Sequence, residues 1–454
     1  AAIAEAALSQ ADRPAALSPD PFNITPAMTS VMTSLAARPE KLFQAQADLF
    51  GRYMDLWADT ARQAAGEPAK PAPADKRFKD PEWSENPMFD LMRRSYLLTS
   101  DWMNGLIAGV EDVDPAVKRR AQFFTRLLTD AFSPSNFLAS NPVALKALAE
   151  TSGESLVKGM QNFAADMERG AGKLKISQAD YGKFVVGENV ATAPGQVVWR
   201  DELFELIQFD AATDKQRAVP LLIFPPWINK FYILDLNEHK SLVRHLTEQG
   251  FSVFITSWKN PGAELQDLSF DDYLQEGLGE AVRVVREFCG VPQVHLVGYC
   301  IGGTLAATYM AWANRHYPAE QMPVAHWTLL TTLTDFAEPG EIGVFIDEDS
   351  LRTLDQLMAR QGYLDGEAMA MSFRLLRSNS LIWHYWVRSY LLGEPLPAFN
   401  VLFWNMDTTR MPRAMHAFYL REMYLKNRLV QPDALTLAGE TIDLDRITQP
   451  LYAV

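Results

Sequence analysis

Cysteine is scarce in this 454-residue chain, which has only Cys289 and Cys300. Two cysteines make no disulfide framework, and so few fit a reducing, cytoplasmic compartment. A net positive charge is also missing. Lys and Arg number 42 against 56 Asp and Glu, giving a formal charge of −14, which argues against a nucleic-acid surface. No apolar run is long enough to span a membrane, and no signal peptide is read at the start. Histidine is sparse as well, with seven in all, so candidates for a general base are few. What is present is a hydrophobic content of 48%, typical of packed globular domains, and length enough for two or three of them.

The most informative stretch is Val294-His-Leu-Val-Gly-Tyr-Cys-Ile-Gly-Gly-Thr304. Its first residues read as a short buried strand, and Thr304 onward reads as a helix. Between them, Gly298-Tyr-Cys-Ile-Gly302 is a G-x-C-x-G form of the G-x-S-x-G nucleophile elbow. The turn is sharp, so small residues are needed two positions either side of the nucleophile, and Gly303 extends that room into the helix. Free N–H groups at the helix start point at the sulfur, which predicts a lowered thiol pKa. The bland alternative is a buried cysteine in a Gly-rich turn. The strand-turn-helix context favours Cys300 as a nucleophile.

Residues 1–38 lack clear periodicity and read as a mobile tail. From Pro39 a helix carries Leu42, Leu49, Phe50, Tyr53 and Trp57 at helical spacing. It either packs on its own domain or docks on a partner or apolar surface. Residues 66–74 form a Pro/Ala linker, and the segment 1–75 is thus tail, amphipathic helix and linker. Residues 76–192 read as a helical N-terminal domain, with helix starts at Asn86-Pro87, Asp114-Pro115 and Asn141-Pro142. From 193 to 454 strands alternate with helices, which predicts an α/β fold with a mostly parallel sheet. The alternation is interrupted over about 336–440 by an aromatic-rich stretch, placed where a cap over an active site would sit.

An acyl-transfer site needs a nucleophile, a base, an orienting acid and an oxyanion hole. Cys300 supplies the first. The Ile301 N–H is the expected first oxyanion donor, and the Trp227 or Ile228 N–H, in the loop after strand 219–224, the second; Pro226 has none. In the α/β-hydrolase fold the acid and then the His follow the nucleophile in the chain. His239 and His245 read as helical, His316 ends a helix, His295 and His326 lie on strands, and His384 and His416 lie in the cap. Asp335 follows strand 324–333, but the more usual place for the acid follows strand 449–454. Asp and His are therefore expected beyond Val454, and residues 1–454 alone are expected not to turn over.

The chain resembles a polyhydroxyalkanoate synthase, most like the class I type. The stretches that carry the resemblance include Phe123-Phe-Thr-Arg-Leu-Leu-Thr-Asp-Ala-Phe-Ser-Pro-Ser-Asn136, Pro225-Pro-Trp-Ile-Asn-Lys-Phe-Tyr-Ile-Leu-Asp-Leu236, Ser257-Trp-Lys-Asn-Pro261, the elbow, and Leu402-Phe-Trp-Asn405. They cover nearly everything from about residue 76 onward. The resemblance implies an α/β-hydrolase catalytic domain and an acyltransferase that polymerises short-chain (R)-3-hydroxyacyl-CoA, 3-hydroxybutyryl-CoA foremost, through a cysteine thioester with release of CoA. It places the nucleophile on Cys300, and the Asp of a D-H-I motif and the His of a G-H motif past Val454. The segment Arg377-Ser-Asn-Ser-Leu-Ile-Trp383 departs from the family's N-D-L, with Ser380 in place of the Asp.

The resemblance further implies no metal or other cofactor, a homodimer, granule association in the cytoplasm, and phasin or other granule-surface contacts through the N-terminal region. Two alternatives remain at this point: a cysteine-type α/β-hydrolase of small esters or lactones, and a non-catalytic granule-binding protein.

Overall fold

The computed structural model describes residues 24–67 and 74–454, so the first part of the expected tail and most of the Pro/Ala linker lie outside the described residues. Two compact units emerge: residues 1–178 with 373–397, and residues 179–372 with 398–454. This division differs from the sequence reading. The first boundary falls at Gln178 rather than 192, and 373–397 leave the cap stretch to pack with the helical unit.

In the helical unit, α1 (Ile24–Ala36) occupies part of what reads as a tail. Its Ala27, Val31 and Leu35, four residues apart, are buried, Val31 and Leu35 against Ile107, Val110 and Ala121. The small residues Ala, Ser and Thr between these anchors hide the period in the sequence. α2 (Pro39–Ala64) starts with Pro at its first turn as expected. Its apolar residues form two adjoining stripes rather than one. Leu42, Leu49, Tyr53 and Leu56 turn inward, and Phe43, Phe50, Met54 and Trp57 are exposed at 75%, 65%, 47% and 54%. Each set has the spacing 7, 4, 3, and the two are offset by one residue, so periodicity alone cannot separate them.

α3 (Pro87–Ala108), α4 (Pro115–Ala131) and α5 (Pro142–Glu150) begin where their caps predict. The Asn86, Asp114 and Asn141 side chains each accept a backbone N–H of the first turn. α6 (Glu154–Arg169) brings Asp166 to the Tyr390 hydroxyl at 2.5 Å and to Ser177 Oγ at 2.6 Å. The Ser378 hydroxyl donates to Asp130 at 2.9 Å, and the Trp386 indole N–H donates to the Asn136 carbonyl at 3.0 Å. These buried polar contacts explain why 373–397 belong with the helices. At Gly159 a Cβ would collide with the Tyr390 backbone, so only glycine fits there.

The other unit is built on a seven-stranded sheet: β1 (Gly195–Arg200), β2 (Phe204–Phe209), β3 (Leu221–Phe224), β4 (Val253–Trp258), β5 (Val294–Tyr299), β6 (Val324–Leu330) and β7 (Leu451–Ala453). Their spatial order is β1-β2-β4-β3-β5-β6-β7. β1 and β2 form an antiparallel hairpin, β2 pairs antiparallel with β4, and the other pairings are parallel. This is the sheet of the α/β-hydrolase fold. β3, β4 and β5 are nearly continuous apolar runs because both faces are covered.

α7 (Leu242–Glu248) includes His245 but begins after His239, which reads as helical in the sequence. Asn237 Oδ1 instead accepts the His239 and Lys240 N–H groups at 3.0 and 2.9 Å, which makes a tight turn and takes His239 off the helix. α8 (Glu280–Cys289) and α9 (Ile301–His316) follow, with every residue of α9 from Ile301 to Ala313 buried.

His416 lies on the short helix Arg413–Phe418, fully buried, and its Nδ1 has no partner among the described residues. Burial lowers its pKa to about 4. The folded protein therefore keeps it neutral, while the unfolded chain protonates it near pH 6.5. The stability it contributes is present above pH 6.5 and is lost as the pH falls toward 4, by on the order of 3 kcal/mol. Urea unfolding from pH 7 to 4.5 should show this slope, and His416→Asn should flatten it; an unchanged slope refutes the assignment.

Candidate active site

Cys300 stands at the C-terminal end of β5, between β3 and β6. Its backbone has φ 54° and ψ −124°, a conformation sparsely populated by non-glycine residues and costing about 1–3 kcal/mol. The surrounding structure holds it there. Its N–H donates to the Leu330 carbonyl on β6 at 2.9 Å, and its own carbonyl accepts the Gly303 and Thr304 N–H groups at 2.8 and 3.1 Å. α9 thus begins directly from the Cys300 peptide.

The three glycines have separate reasons. A Cβ on Gly298 would overlap the Gly303 Cα, so the strand and helix meet with no side chain between them. One on Gly302 would strike the Phe224 and Pro225 backbone at the end of β3, and one on Gly303 would overlap the Thr332 side chain.

The loop after β3 brings Trp227 and Ile228 to the same sheet edge. The Trp258 indole N–H fixes the Pro225 carbonyl at 3.0 Å. Thr409 holds the Trp227 and Ile228 carbonyls, its hydroxyl donating to the first and its N–H to the second at 3.3 Å. Among the described residues, the Trp227 and Ile228 N–H groups make no hydrogen bond. The Ile301 N–H, in contrast, favours the thiolate form of Cys300.

Cys300 is exposed, yet the protein atoms gathered around its thiol raise the pKa, and the Ile301 hydrogen bond only partly opposes this. This corrects the expectation of a lowered pKa. Desolvation of the thiolate outweighs the dipole of the helix start. No histidine hydrogen-bonds Cys300 among the described residues. Asp335 accepts the Ala337 N–H at 2.9 Å and the Asn427 amide at 2.8 Å, which hold its carboxyl below the usual range. It serves as a turn cap. Ser380 lies in the helical unit, exposed, on the π-helical turn Asn379–Trp383.

Sequence reasoning missed Tyr419 and Tyr424. Their rings meet edge-on with centroids 5.4 Å apart, and burial raises the pKa of both, with a smaller contribution from the charge of Cys300. They stand among many aromatics of the cap stretch, and no motif or spacing ties them to an elbow some 120 positions earlier. A cavity of about 480 Å³ in the same unit, lined by Trp199, Asp201, Leu203, Glu276 and Glu280 among others, does not include Cys300. Its acidic wall would repel the phosphates of an acyl-CoA.

Residues 74–246 match the family model described as poly-beta-hydroxybutyrate polymerase N-terminus, and residues 219–452 match that of the alpha/beta hydrolase fold. The chain is 41% identical over 419 residues to the poly(3-hydroxyalkanoate) polymerase subunit of Rhizobium meliloti, an alignment covering 91% of this chain and 68% of the relative. The chain belongs to the poly(3-hydroxyalkanoate) polymerase family. A second polymerase of this family, from Methylorubrum extorquens, is 40% identical over 437 residues, covering 94% of this chain and 71% of its own. The polymerase subunit of Cupriavidus necator is 40% identical over 412 residues, covering 89% and 69%. The chain thus spans about two thirds of the length of the polymerases it matches. No helix among the described residues is long and apolar enough to cross a membrane.

Proposed function

We propose that the chain is the catalytic part of an acyltransferase that polymerises (R)-3-hydroxyacyl-CoA, with 3-hydroxybutyryl-CoA as the preferred unit, and that Cys300 carries the acyl group. The observation that supports this most is the backbone of Cys300, held at φ 54° between β5 and α9.

The raised thiol pKa makes a base necessary, because the thiolate is the nucleophile. A histidine base, as the family resemblance implies, takes the proton. The sulfur attacks the acyl carbon of the thioester, and the oxyanion is held by the N–H groups of Ile301 and of Trp227 or Ile228. The carbon–sulfur bond to CoA then breaks, and CoA leaves with the proton. Exchange of one thioester for another is nearly isoenergetic, so the acyl group stays activated until a 3-hydroxyl attacks it and the ester chain grows. Incubation of the polymerase with 3-hydroxybutyryl-CoA, following free thiol and turbidity, tests this. Free 3-hydroxybutyrate without polymer would instead identify a hydrolase.

The outer stripe of α2, Phe43, Phe50, Met54 and Trp57, supports a docking role at the polyester granule or its coat proteins. Phe50→Glu combined with Trp57→Glu should cut co-sedimentation with granules about tenfold or more while solution activity is retained. Unchanged sedimentation refutes this role. The polymerase is taken to act as a homodimer, which sedimentation of the purified protein measures.

A further inference from the structure

Thr409 joins the cap stretch to the loop after β3. It is buried at 3% exposure. Its hydroxyl donates to the Trp227 carbonyl, and its N–H donates to the Ile228 carbonyl at 3.3 Å. One residue thus grips the main chain on both sides of the Ile228 Cα.

Thr409 is itself held in place. The Arg410 N–H donates to Asn260 Oδ1 at 2.9 Å, and Met411–Pro412 pair antiparallel with Tyr363–Leu364. On the other side, Thr408 bridges to Asn229, and the Asp407 carboxylate accepts the Tyr232 hydroxyl at 2.7 Å. The Trp404 indole N–H donates to the Lys230 carbonyl at 2.7 Å. Residues 404–409 are therefore stitched to 227–232, and Thr409 is the member that reaches Trp227 and Ile228.

The direction of an N–H follows from the carbonyl across the same peptide. A trans peptide is planar and points its N–H away from its C=O. No cis peptide occurs among the described residues. The Trp227 carbonyl and the Ile228 N–H belong to one such unit. With that carbonyl turned onto the Thr409 hydroxyl, the N–H is aimed the opposite way, and it makes no hydrogen bond among the described residues. The Trp227 N–H shares its peptide with the Pro226 carbonyl, which accepts no hydrogen bond among the described residues. That unit is not gripped in the same way. A hydrogen bond on a carbonyl also polarises its peptide and strengthens the N–H as a donor. A developing oxyanion needs donors that are already oriented, because turning them during the reaction costs energy. The loop starts against the elbow, where the Phe224 and Pro225 backbone abuts Gly302.

We propose that Thr409 is a positioning residue whose hydroxyl, bonded to the Trp227 carbonyl, orients the Ile228 N–H as the second oxyanion donor of the acyl-transfer site. This rests on Cys300 being the nucleophile.

The test is Thr409→Val in the full-length polymerase. Valine keeps the shape and the backbone N–H and removes the hydroxyl. The kcat with 3-hydroxybutyryl-CoA should fall about tenfold to a hundredfold, less than the roughly 10²–10³ lost with a whole oxyanion donor. KM should change by less than about twofold, since the lost contact is made in the transition state. Thr409→Ser restores the hydroxyl and should recover most of the turnover. Alkylation of Cys300 by iodoacetamide, in a Cys289→Ala background, forms no oxyanion, so its rate should match the parent in Thr409→Val. Tyr232→Phe cuts another link between the same segments without touching the Trp227–Ile228 peptide, and its kcat should stay within about threefold of the parent. If Thr409→Val does not fold, Thr409→Ala takes its place with the same expectations. Parent-like kcat in the folded valine or alanine variant overturns the proposal. So does alkylation slowed as much as turnover, a serine variant as slow as the valine one, an equal loss in Tyr232→Phe, or loss of folding in both the valine and alanine variants. Those failures leave Cys300 as the nucleophile. Activity surviving in Cys300→Ala would instead remove that reading, whatever Thr409 does.

Discussion

In the full-length polymerase, with its acid and base in place, replacing Cys300 by alanine should abolish CoA release from 3-hydroxybutyryl-CoA, lowering the rate by about four powers of ten or more, as loss of a covalent nucleophile does elsewhere. Cys289→Ala should stay within about twofold of the parent. The contrast follows from position. Cys289 ends α8 half-buried, its pKa raised by burial alone, with no strained backbone behind it. Cys300 is exposed at a sheet edge, in a backbone conformation that only the neighbouring strand and helix sustain. Thiol release measured with a CoA-trapping reagent separates the two. A comparable loss in both variants, with both folded, would remove Cys300 from its assigned role.

The elbow glycines should be nearly as intolerant, for a reason of packing. Gly302→Ala drives a methyl group into the Phe224 and Pro225 backbone, which cannot move aside without shifting β3 and the loop that carries Trp227. Overpacking commonly costs about 1–3 kcal/mol, and contact with main chain places this change at about 3 kcal/mol, with loss of activity. Gly105→Ala provides the opposite sign. Gly105 lies inside α3 with nothing within 4 Å of the point a methyl carbon would occupy, so alanine should stabilise by about 0.5–1 kcal/mol. Urea midpoints measure both. A Gly302→Ala protein that unfolds like the parent would mean that β3 and the elbow are not packed as described.

The acid sensitivity expected from His416 shares a cause with the corrected thiol pKa. In each, burial or close surroundings decide which protonation state is favoured. A sequence pattern reports neighbours along the chain, and desolvation depends on neighbours in space. The helix-start argument for Cys300 is sound for the one hydrogen bond from Ile301. It carries no information about the atoms that other segments bring to the sulfur.

What the sequence determined by itself was local. The elbow is contiguous, and its sharp turn requires small residues at fixed offsets whatever surrounds it. The caps Asn86, Asp114 and Asn141 act within their own first turns, so those helix starts were legible. Buried strands such as β3 and β5 appear as apolar runs, and their alternation with helices pointed to the parallel sheet. Only the tertiary structure decided the rest. It split the apolar residues of α2 between an inner and an outer stripe one residue apart, assigned 373–397 to the helical unit through Asp130, Asn136 and Asp166, and set Thr409 on the carbonyls of the loop after β3. These contacts join residues from about 40 to 250 positions apart, and they depend on side-chain packing that hydrophobic period and residue type leave open.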